Sequence, residues 1–204
     1  FFEACVASGQ QIALIGSIII CASIIIGVLS MTGLGVKLTS LIISLSDNNI
    51  WPALVLTGIA CLLLGMEVPT TAAYVICVSV AGPALVDMGL ELLQVHLFVF
   101  WFALLSTITP PVCGTVFIAS GMVSENWLKV SLTSMSLGIG LYFIPLAMIA
   151  NEAIIKLDTD FLSSMTAFVK IALSLVMLSF AFISKNLIIV KMIAFVLGLF
   201  VMFI

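Results

Sequence analysis

The chain contains 204 residues, of which 64% are hydrophobic and 7% are charged, and its mean hydropathy is +1.44. One soluble core cannot enclose so many apolar residues, which indicates a protein of the lipid bilayer. Six basic residues, all lysines, and nine acidic residues give a formal net charge of −3. The composition therefore offers no basic surface for nucleic acid.

Both ends of the sequence lie in apolar residues. The chain begins at Phe1 without a methionine or a basic leader and ends at Ile204, so we expect a fragment of a longer chain and infer no signal peptide. The cysteines are scattered singly, without metal-ligand spacing, and are expected to be small buried hydrophobic residues. They are Cys5, Cys21, Cys61, Cys77 and Cys113.

The first apolar segment is long enough to span a membrane. Residues 12–31 carry no charge, and about 20 residues at 1.5 Å each cross the hydrocarbon layer. A Thr-Gly-Leu-Gly turn interrupts the segment, and polar residues then alternate with apolar ones over 36–45. This alternation predicts an amphipathic helix near the membrane interface, which ends before Trp51 marks re-entry into the bilayer.

Residues 51–86 are predicted to form a re-entrant hairpin. The first arm, 52–64, is roughly 20 Å long as a helix and too short to cross the bilayer. A polar cluster at 65–71 separates it from the second arm, 72–86. A pair of tilted spans joined by a loop is the alternative. We favour the hairpin because the cluster lacks the longer connection that is usual between full spans.

A second interruption divides the segment 94–122 into two half helices. The apolar run 97–105 stops at Ser106–Gly114, and 115–122 completes the crossing. The adjacent residues Pro110 and Pro111 have no backbone N–H to donate, so nearby carbonyls lose their helical hydrogen-bond partners. In lipid, such backbone is tolerated only where it is buried in protein or lines a wet cavity. Two interrupted segments close together in sequence point to a transporter binding site.

The rest of the sequence predicts further helices. The expected elements are an uninterrupted span over 128–149, a polar loop over 151–160, and apolar helices over 164–183 and 187–204. The predicted fold is an all-α, polytopic transmembrane helical bundle with a re-entrant hairpin and a discontinuous helix.

Three ordered motifs resemble the large membrane subunit of tripartite ATP-independent periplasmic (TRAP) transporters. They are Gly65-Met66-Glu67-Val68-Pro69-Thr70-Thr71-Ala72-Ala73-Tyr74, then His96-Leu97-Phe98-Val99-Phe100, and then Leu105-Ser106-Thr107-Ile108-Thr109-Pro110-Pro111-Val112. Their order and spacing are similar to those of the family over roughly residues 12–149. The fused permease of the TAXI branch is the most similar form.

The resemblance implies one repeat of an inverted-repeat, elevator-type secondary transporter. Residues 1–150 would be the second-repeat transport unit, with the hairpin at about 51–86 and the broken helix at about 94–122. Residues 151–204 would be additional C-terminal transmembrane helices. It also implies a multi-pass protein of a bacterial or archaeal inner membrane that takes up a small organic acid from a periplasmic solute-binding protein. Sodium is the expected coupling ion, with no other cofactor and no enzymatic activity.

The two interruptions offer groups suited to such a mechanism. Sodium is a hard ion that binds oxygen, and the expected metal ligands are Gly65, Thr70, Thr71, Ser106, Thr107 and Thr109. The N-terminal ends of half helices favour an anion, and the expected substrate-binding residues are Thr71, Gly114, Thr115 and Glu67. Each hydroxyl also has a structural interpretation, because Ser and Thr side chains can bond to the carbonyl four residues earlier.

Two titratable residues have more than one interpretation. Glu67 stands at the hairpin tip, where the family more often has glycine. An acid within the membrane is a functional hypothesis by default, as a proton or cation site, a contact for a cationic part of the solute, or a group facing a water-filled vestibule. His96 lies near Asp87 and Glu91 and is interpreted as an interfacial residue at a helix start rather than a proton relay.

A passive channel or pore-forming membrane subunit is the alternative function. A channel would leave uptake indifferent to an imposed sodium gradient, whereas a coupled transporter would not. An intramembrane enzyme ranks third, because a lone histidine provides neither a nucleophile with its base nor a set of metal ligands.

Overall fold

The computed structural model describes residues 2–66, 68–111, 113–155, 161–184 and 187–203. These residues form ten α-helices and one short 3₁₀ helix, with no strand among them, and the all-α prediction is confirmed. Glu67 lies outside the described residues, as do Lys156, Asp158 and Asp160 of the predicted polar loop.

The helices follow one another with short connections. They are α1 (Phe2–Thr32), α2 (Leu34–Ser46), α3 (Ile50–Leu64), α4 (Thr70–Asp87), α5 (Leu92–Leu105), α6 (Gly114–Val123), α7 (Trp127–Leu137), α8 (Ile139–Ala150), the 3₁₀ helix Glu152–Ile154, α9 (Phe161–Ile183) and α10 (Ile188–Phe203). They form two compact units, Phe1–Leu104 and Leu105–Ile204, which are described in turn.

Several helices have the length and composition of membrane spans. Among the described residues, α4 with 18 residues and α9 with 23 are long and apolar enough to cross a bilayer. The number rises to four if each of two bent pairs is one span. These pairs are 19–29 with α2, bent by 69°, and α7 with α8, bent by 41°. A multi-pass membrane protein accounts for this pattern.

In the first unit, α3 and α4 are the two arms of the predicted hairpin and pack against each other. The Asn49 side chain accepts a hydrogen bond from the Trp51 N–H at 3.1 Å and so caps the start of α3. The Cys77 thiol of α4 lies 3.6 Å from the Cys61 carbonyl of α3, and both residues are fully buried. The helical arms end and begin again on either side of the predicted polar cluster.

The helix α2 lies alongside α4. Gly33 has a φ of 66°, a left-handed conformation that glycine adopts without strain, and the chain turns there from α1 into α2. The Ser46 hydroxyl at the end of α2 lies 4.0 Å from the Met88 sulfur, just beyond the end of α4. Gly35, near the start of α2, faces the Ser79 carbonyl. The two helices therefore run in the same direction over this stretch.

The helix α5 packs closely on α3 through a glycine. A Cβ atom at Gly58 would lie 3.0 Å from the ring of Phe102, which is tighter than ordinary van der Waals contact. Phe102 in turn packs on Phe98, with 4.8 Å between ring centroids. The helix begins at Leu92, so the expectation that His96 stands at a helix start is wrong, and this histidine lies in the second turn.

In the second unit, the predicted uninterrupted span 128–149 is broken. The helices α7 and α8 meet at Gly138 with a bend of 41°. The Gly138 N–H still donates to the Ser134 carbonyl at 2.8 Å, so the last turn of α7 is closed before the chain changes direction. Pro145 lies inside α8 and does not mark the break.

The last two helices pack on each other and on α8. The Ser174 hydroxyl of α9 donates to the Gly198 carbonyl of α10 at 2.6 Å in a buried contact. Asn151, at the end of α8, donates to the Met202 carbonyl at 2.9 Å. Small residues and interhelical hydrogen bonds of this kind hold helices together where lipid removes the hydrophobic drive to associate.

Candidate functional site

The break between α5 and α6 contains hydroxyl groups with defined partners. The Thr109 hydroxyl donates to the Leu105 carbonyl at 2.7 Å and also lies 2.7 Å from the Tyr142 hydroxyl. Because a threonine hydroxyl has one proton, Tyr142 must be the donor in the second bond. The bond to Leu105 is the four-residue back-bond that the sequence allowed as a structural role for this threonine.

A second hydrogen bond crosses the same break. The Thr115 hydroxyl, in the first turn of α6, donates to the Thr107 carbonyl at 2.7 Å. Ser106 and Cys113, at the two ends of the non-helical segment, are fully buried. Three predicted ion ligands and two predicted substrate ligands are therefore within one segment of the second unit, and Tyr142 of α8 contacts this segment. They are Ser106, Thr107, Thr109, Gly114 and Thr115.

The start of α6 is also the predicted anion-binding end of a half helix. Gly114 is its first residue, and the preceding Cys113 makes no side-chain capping bond. The first N–H groups of a helix have no acceptor within it, and they carry the positive end of the helix dipole. The anion-binding role of this helix end stays a prediction.

The interruption in the first unit is shorter. Gly65 directly follows α3 and is buried, and its N–H donates to the Cys61 carbonyl at 2.9 Å. Thr70 and Thr71 are the first two residues of α4, which is preceded by Pro69 without a side-chain capping bond. Glu67, the remaining predicted substrate ligand, lies outside the described residues.

A cavity of about 440 Å³ adjoins the start of α4 within the first unit. Thr71, Tyr74 and His96 contribute polar groups to a lining that is otherwise almost entirely apolar. The Tyr74 hydroxyl and the His96 Nδ1 are 2.6 Å apart, a hydrogen bond that joins α4 to α5. The volume lies within the range of about 300–1,000 Å³ that is usual for small-molecule sites.

The sequence interpretation missed both tyrosines. The chain contains only two, and each has its hydroxyl hydrogen-bonded to a residue of a predicted motif, Tyr142 to Thr109 and Tyr74 to His96. A signal was present, because a tyrosine in an apolar span carries a hydroxyl that needs a partner. The sequence around each tyrosine does not indicate which distant residue its hydroxyl contacts.

Metal clusters of the acidic or thiolate kind are absent from the described part of the chain. No group of three or more His, Cys, Asp or Glu side chains there is placed to hold a metal ion. Among the described residues, the candidate ligands for a cation at the two interruptions are carbonyl and hydroxyl oxygens, which suit hard ions.

Comparison with known proteins assigns the chain to a family. A family profile described as tripartite ATP-independent periplasmic transporter, DctM component, matches residues 1–163. No curated protein and no solved structure matches the chain.

The family is a component of secondary transporters for small solutes and is not an enzyme, which favours the transporter over the passive channel. It works with a periplasmic solute-binding protein and a small component. With broken apolar helices, hydroxyl groups at the breaks and a match over most of its length, the chain belongs to the DctM component family of tripartite ATP-independent periplasmic transporters.

Proposed function

We propose that the chain carries out sodium-coupled uptake of a small organic acid, delivered by a periplasmic solute-binding protein, across the inner membrane of a bacterium or archaeon. In this proposal it is the second-repeat portion of a fused, TAXI-type permease with additional C-terminal helices. The observation that carries the proposal is the set of hydroxyl and carbonyl oxygens at the break between α5 and α6.

The oxygens at this break support an ion site without carboxylates. The Thr109 hydroxyl oxygen has one lone pair left after accepting from Tyr142, and the Thr107 carbonyl oxygen, which accepts from Thr115, belongs to the same break. Sodium is bound by a small number of such neutral oxygens, as in the unwound segments of other secondary transporters. Ser106 is the third predicted ligand in this segment.

The first unit has its own set of candidate ligands. Gly65, Thr70 and Thr71 flank the short interruption between the hairpin arms. The carbonyl at Gly65 and the hydroxyls at the start of α4 would bind a cation there. The N–H groups in the first turn of α4 would bind a carboxylate, and those at Gly114 in α6 are a separate candidate position in the second unit.

Coupling follows if the ion and the solute share these segments. An ion that orders a break also fixes the adjacent helix start, so the solute binds better when the ion is present. By linkage, the ion then binds better in the presence of the solute by the same factor. This reciprocity distinguishes the proposed transporter from a protein that merely admits both species.

The test is uptake by proteoliposomes that contain the complete transporter, with its purified binding protein outside. Sodium and pH gradients are imposed separately. We expect an inward sodium gradient to drive accumulation of the delivered solute, and dissipation of that gradient to abolish it. Uptake that follows the pH gradient and ignores sodium would overturn the assignment of the ion.

A further inference from the structure

The cavity beside the start of α4 has the form of a solute site, and three helices build it. Each contributes residues spaced by three or four positions, so that each presents one face. The pairs are Ile19 and Ala22 of α1, Thr71 and Val75 of α4, and His96 and Phe100 of α5. All belong to the first unit. Such a concave, largely apolar space with a few polar groups is the usual form of a small-molecule site.

The polar end of the cavity is rigid. On α5, His96 and Phe100 are four residues apart, and the Tyr74 ring packs against both, at 6.0 Å and 5.6 Å between ring centroids. The contact with Phe100 is edge-to-face, a favourable aromatic geometry. Together with the 2.6 Å hydrogen bond to His96, these contacts fix the tyrosine hydroxyl in place before any ligand binds.

This pair presents a hydrogen-bond donor whichever proton arrangement it adopts. If Tyr74 donates to Nδ1, the neutral His96 ring carries its proton on Nε2 and donates from there. If Nδ1 is the donor, the tyrosine hydroxyl keeps its own proton to give to a ligand. A doubly protonated ring adds a positive charge. Each arrangement therefore leaves one proton that can be donated to an acceptor group on a ligand, such as a carboxylate.

The rest of the lining limits what can accompany that carboxylate. Within the described residues, no Asp, Glu, Lys or Arg side chain lines the cavity. The Ser23 hydroxyl, on α1, donates to the Ile19 carbonyl of its own helix at 2.9 Å. The donors of Tyr74, His96 and Thr71 can serve one carboxylate, whereas a second one on the ligand would lose its hydration without gaining donors or a charged partner, which is strongly unfavourable.

We propose that this cavity binds the solute, and that the solute is a monocarboxylate with an apolar aliphatic or aromatic body rather than a dicarboxylate. The carboxylate contacts the Tyr74–His96 pair and the Thr71 hydroxyl in the first turn of α4, and the body lies along Val75 and Phe100. This inference rests on the proposed function, because it names the class of organic acid that the transporter accepts.

Direct binding to the purified complete transporter in detergent tests this inference without the selectivity of the binding protein. The probes are phenylacetate, hexanoate and succinate, measured by calorimetry. We expect phenylacetate and hexanoate to bind at least tenfold more tightly than succinate. Equal or tighter binding of succinate overturns the inference.

Variants of the cavity separate specific binding from general affinity for apolar molecules. His96→Gln and Tyr74→Phe should each weaken phenylacetate binding about tenfold and leave uncharged phenylacetamide nearly unchanged. If Tyr74→Phe fails to fold, Phe100→Leu serves instead, with Phe180→Leu as its control, since these phenylalanines are 42% and 43% exposed and only the first lines the cavity. Unchanged phenylacetate binding in Phe100→Leu, or a bound phospholipid that phenylacetate does not displace, contradicts the proposal.

The outcome for the solute class is independent of the outcome for the ion. If sodium drives uptake but the monocarboxylates bind no better than succinate, the cavity inference fails and the proposed coupling stands. If the monocarboxylates bind as expected but uptake ignores sodium, the coupling fails and the cavity remains the solute site.

Discussion

The hydroxyl groups of Thr109 and Tyr142 lie 2.7 Å apart, which joins the break after α5 to the helix α8 that follows the bend at Gly138. The side chain of Ile108 lies close to Gly138 as well. Within the second unit, the segment with the candidate ion ligands therefore contacts α8 at Tyr142 and lies close to the bend between α7 and α8 at Gly138.

Removing the tyrosine hydroxyl tests whether this contact positions the ion ligands. In Tyr142→Phe, the Thr109 oxygen loses its donor and is less firmly oriented. A hydrogen bond contributes about 1 kcal/mol, so we expect the sodium concentration for half-maximal uptake to rise roughly three- to tenfold. The measurement is sodium-dependent uptake in proteoliposomes. A change in maximal rate alone, with the same half-saturating concentration, would contradict a positioning role.

Thr109→Val removes a candidate ligand and has a close control. Thr133 makes the same type of back-bond, to the Lys129 carbonyl at 2.8 Å, but it is exposed on a regular part of α7. We expect Thr109→Val to raise the half-saturating sodium concentration at least tenfold and Thr133→Val to leave it unchanged, in the same uptake assay. Similar values for both variants would leave Thr109 with a structural role only.

Replacing Pro110 and Pro111 by alanine tests the break itself. Alanine restores two backbone donors and is compatible with a continuous helix, so the carbonyls before the break regain helical partners. We expect sodium-dependent uptake to be lost while the amount of protein in the membrane stays within about twofold, as seen by immunoblot. Normal uptake by the double variant would refute the idea that interrupted backbone is needed.

The close contact of α3 and α5 predicts an asymmetric response to two glycine substitutions. In Gly58→Ala, the new methyl group meets the Phe102 ring, which is only 7% exposed and packs on Phe98. We expect a loss of about 1–3 kcal/mol, measured as a lower apparent melting temperature of the detergent-solubilised transporter. Gly121→Ala, on α6, meets nothing within 4 Å and should be neutral or slightly stabilising. Equal melting temperatures for both would argue against tight packing at Gly58.

The elements that were predicted correctly are those with local causes. The adjacent prolines exclude a helix through Pro110 whatever surrounds them, and the structure ends α5 at Leu105 and starts α6 at Gly114. The glycine turn after the first span likewise appears as a change of helix at Gly33. Such features depend only on the backbone preferences of the residues concerned.

The elements that were missed depend on distant residues. A glycine in an apolar helix is often tolerated, so nothing near Gly138 distinguishes a bend from a continuous span. Tyr142 and its partner are 33 positions apart, and Tyr74 and His96 are 22 apart. The periodicity of one segment does not reveal which other segment packs on it, so His96 was interpreted from its neighbours in sequence.

The hydrogen bond from Thr115 to the Thr107 carbonyl has a consequence for the transport cycle. If the proposed ion binds this carbonyl, it displaces part of the existing interaction with Thr115, and the net gain falls by about 1 kcal/mol. When the ion departs, the Thr115 hydroxyl donates to the Thr107 carbonyl again, so the empty state does not contain an unpaired carbonyl there. A carrier whose empty and loaded forms differ little in energy can release its cargo quickly on the far side and return for the next.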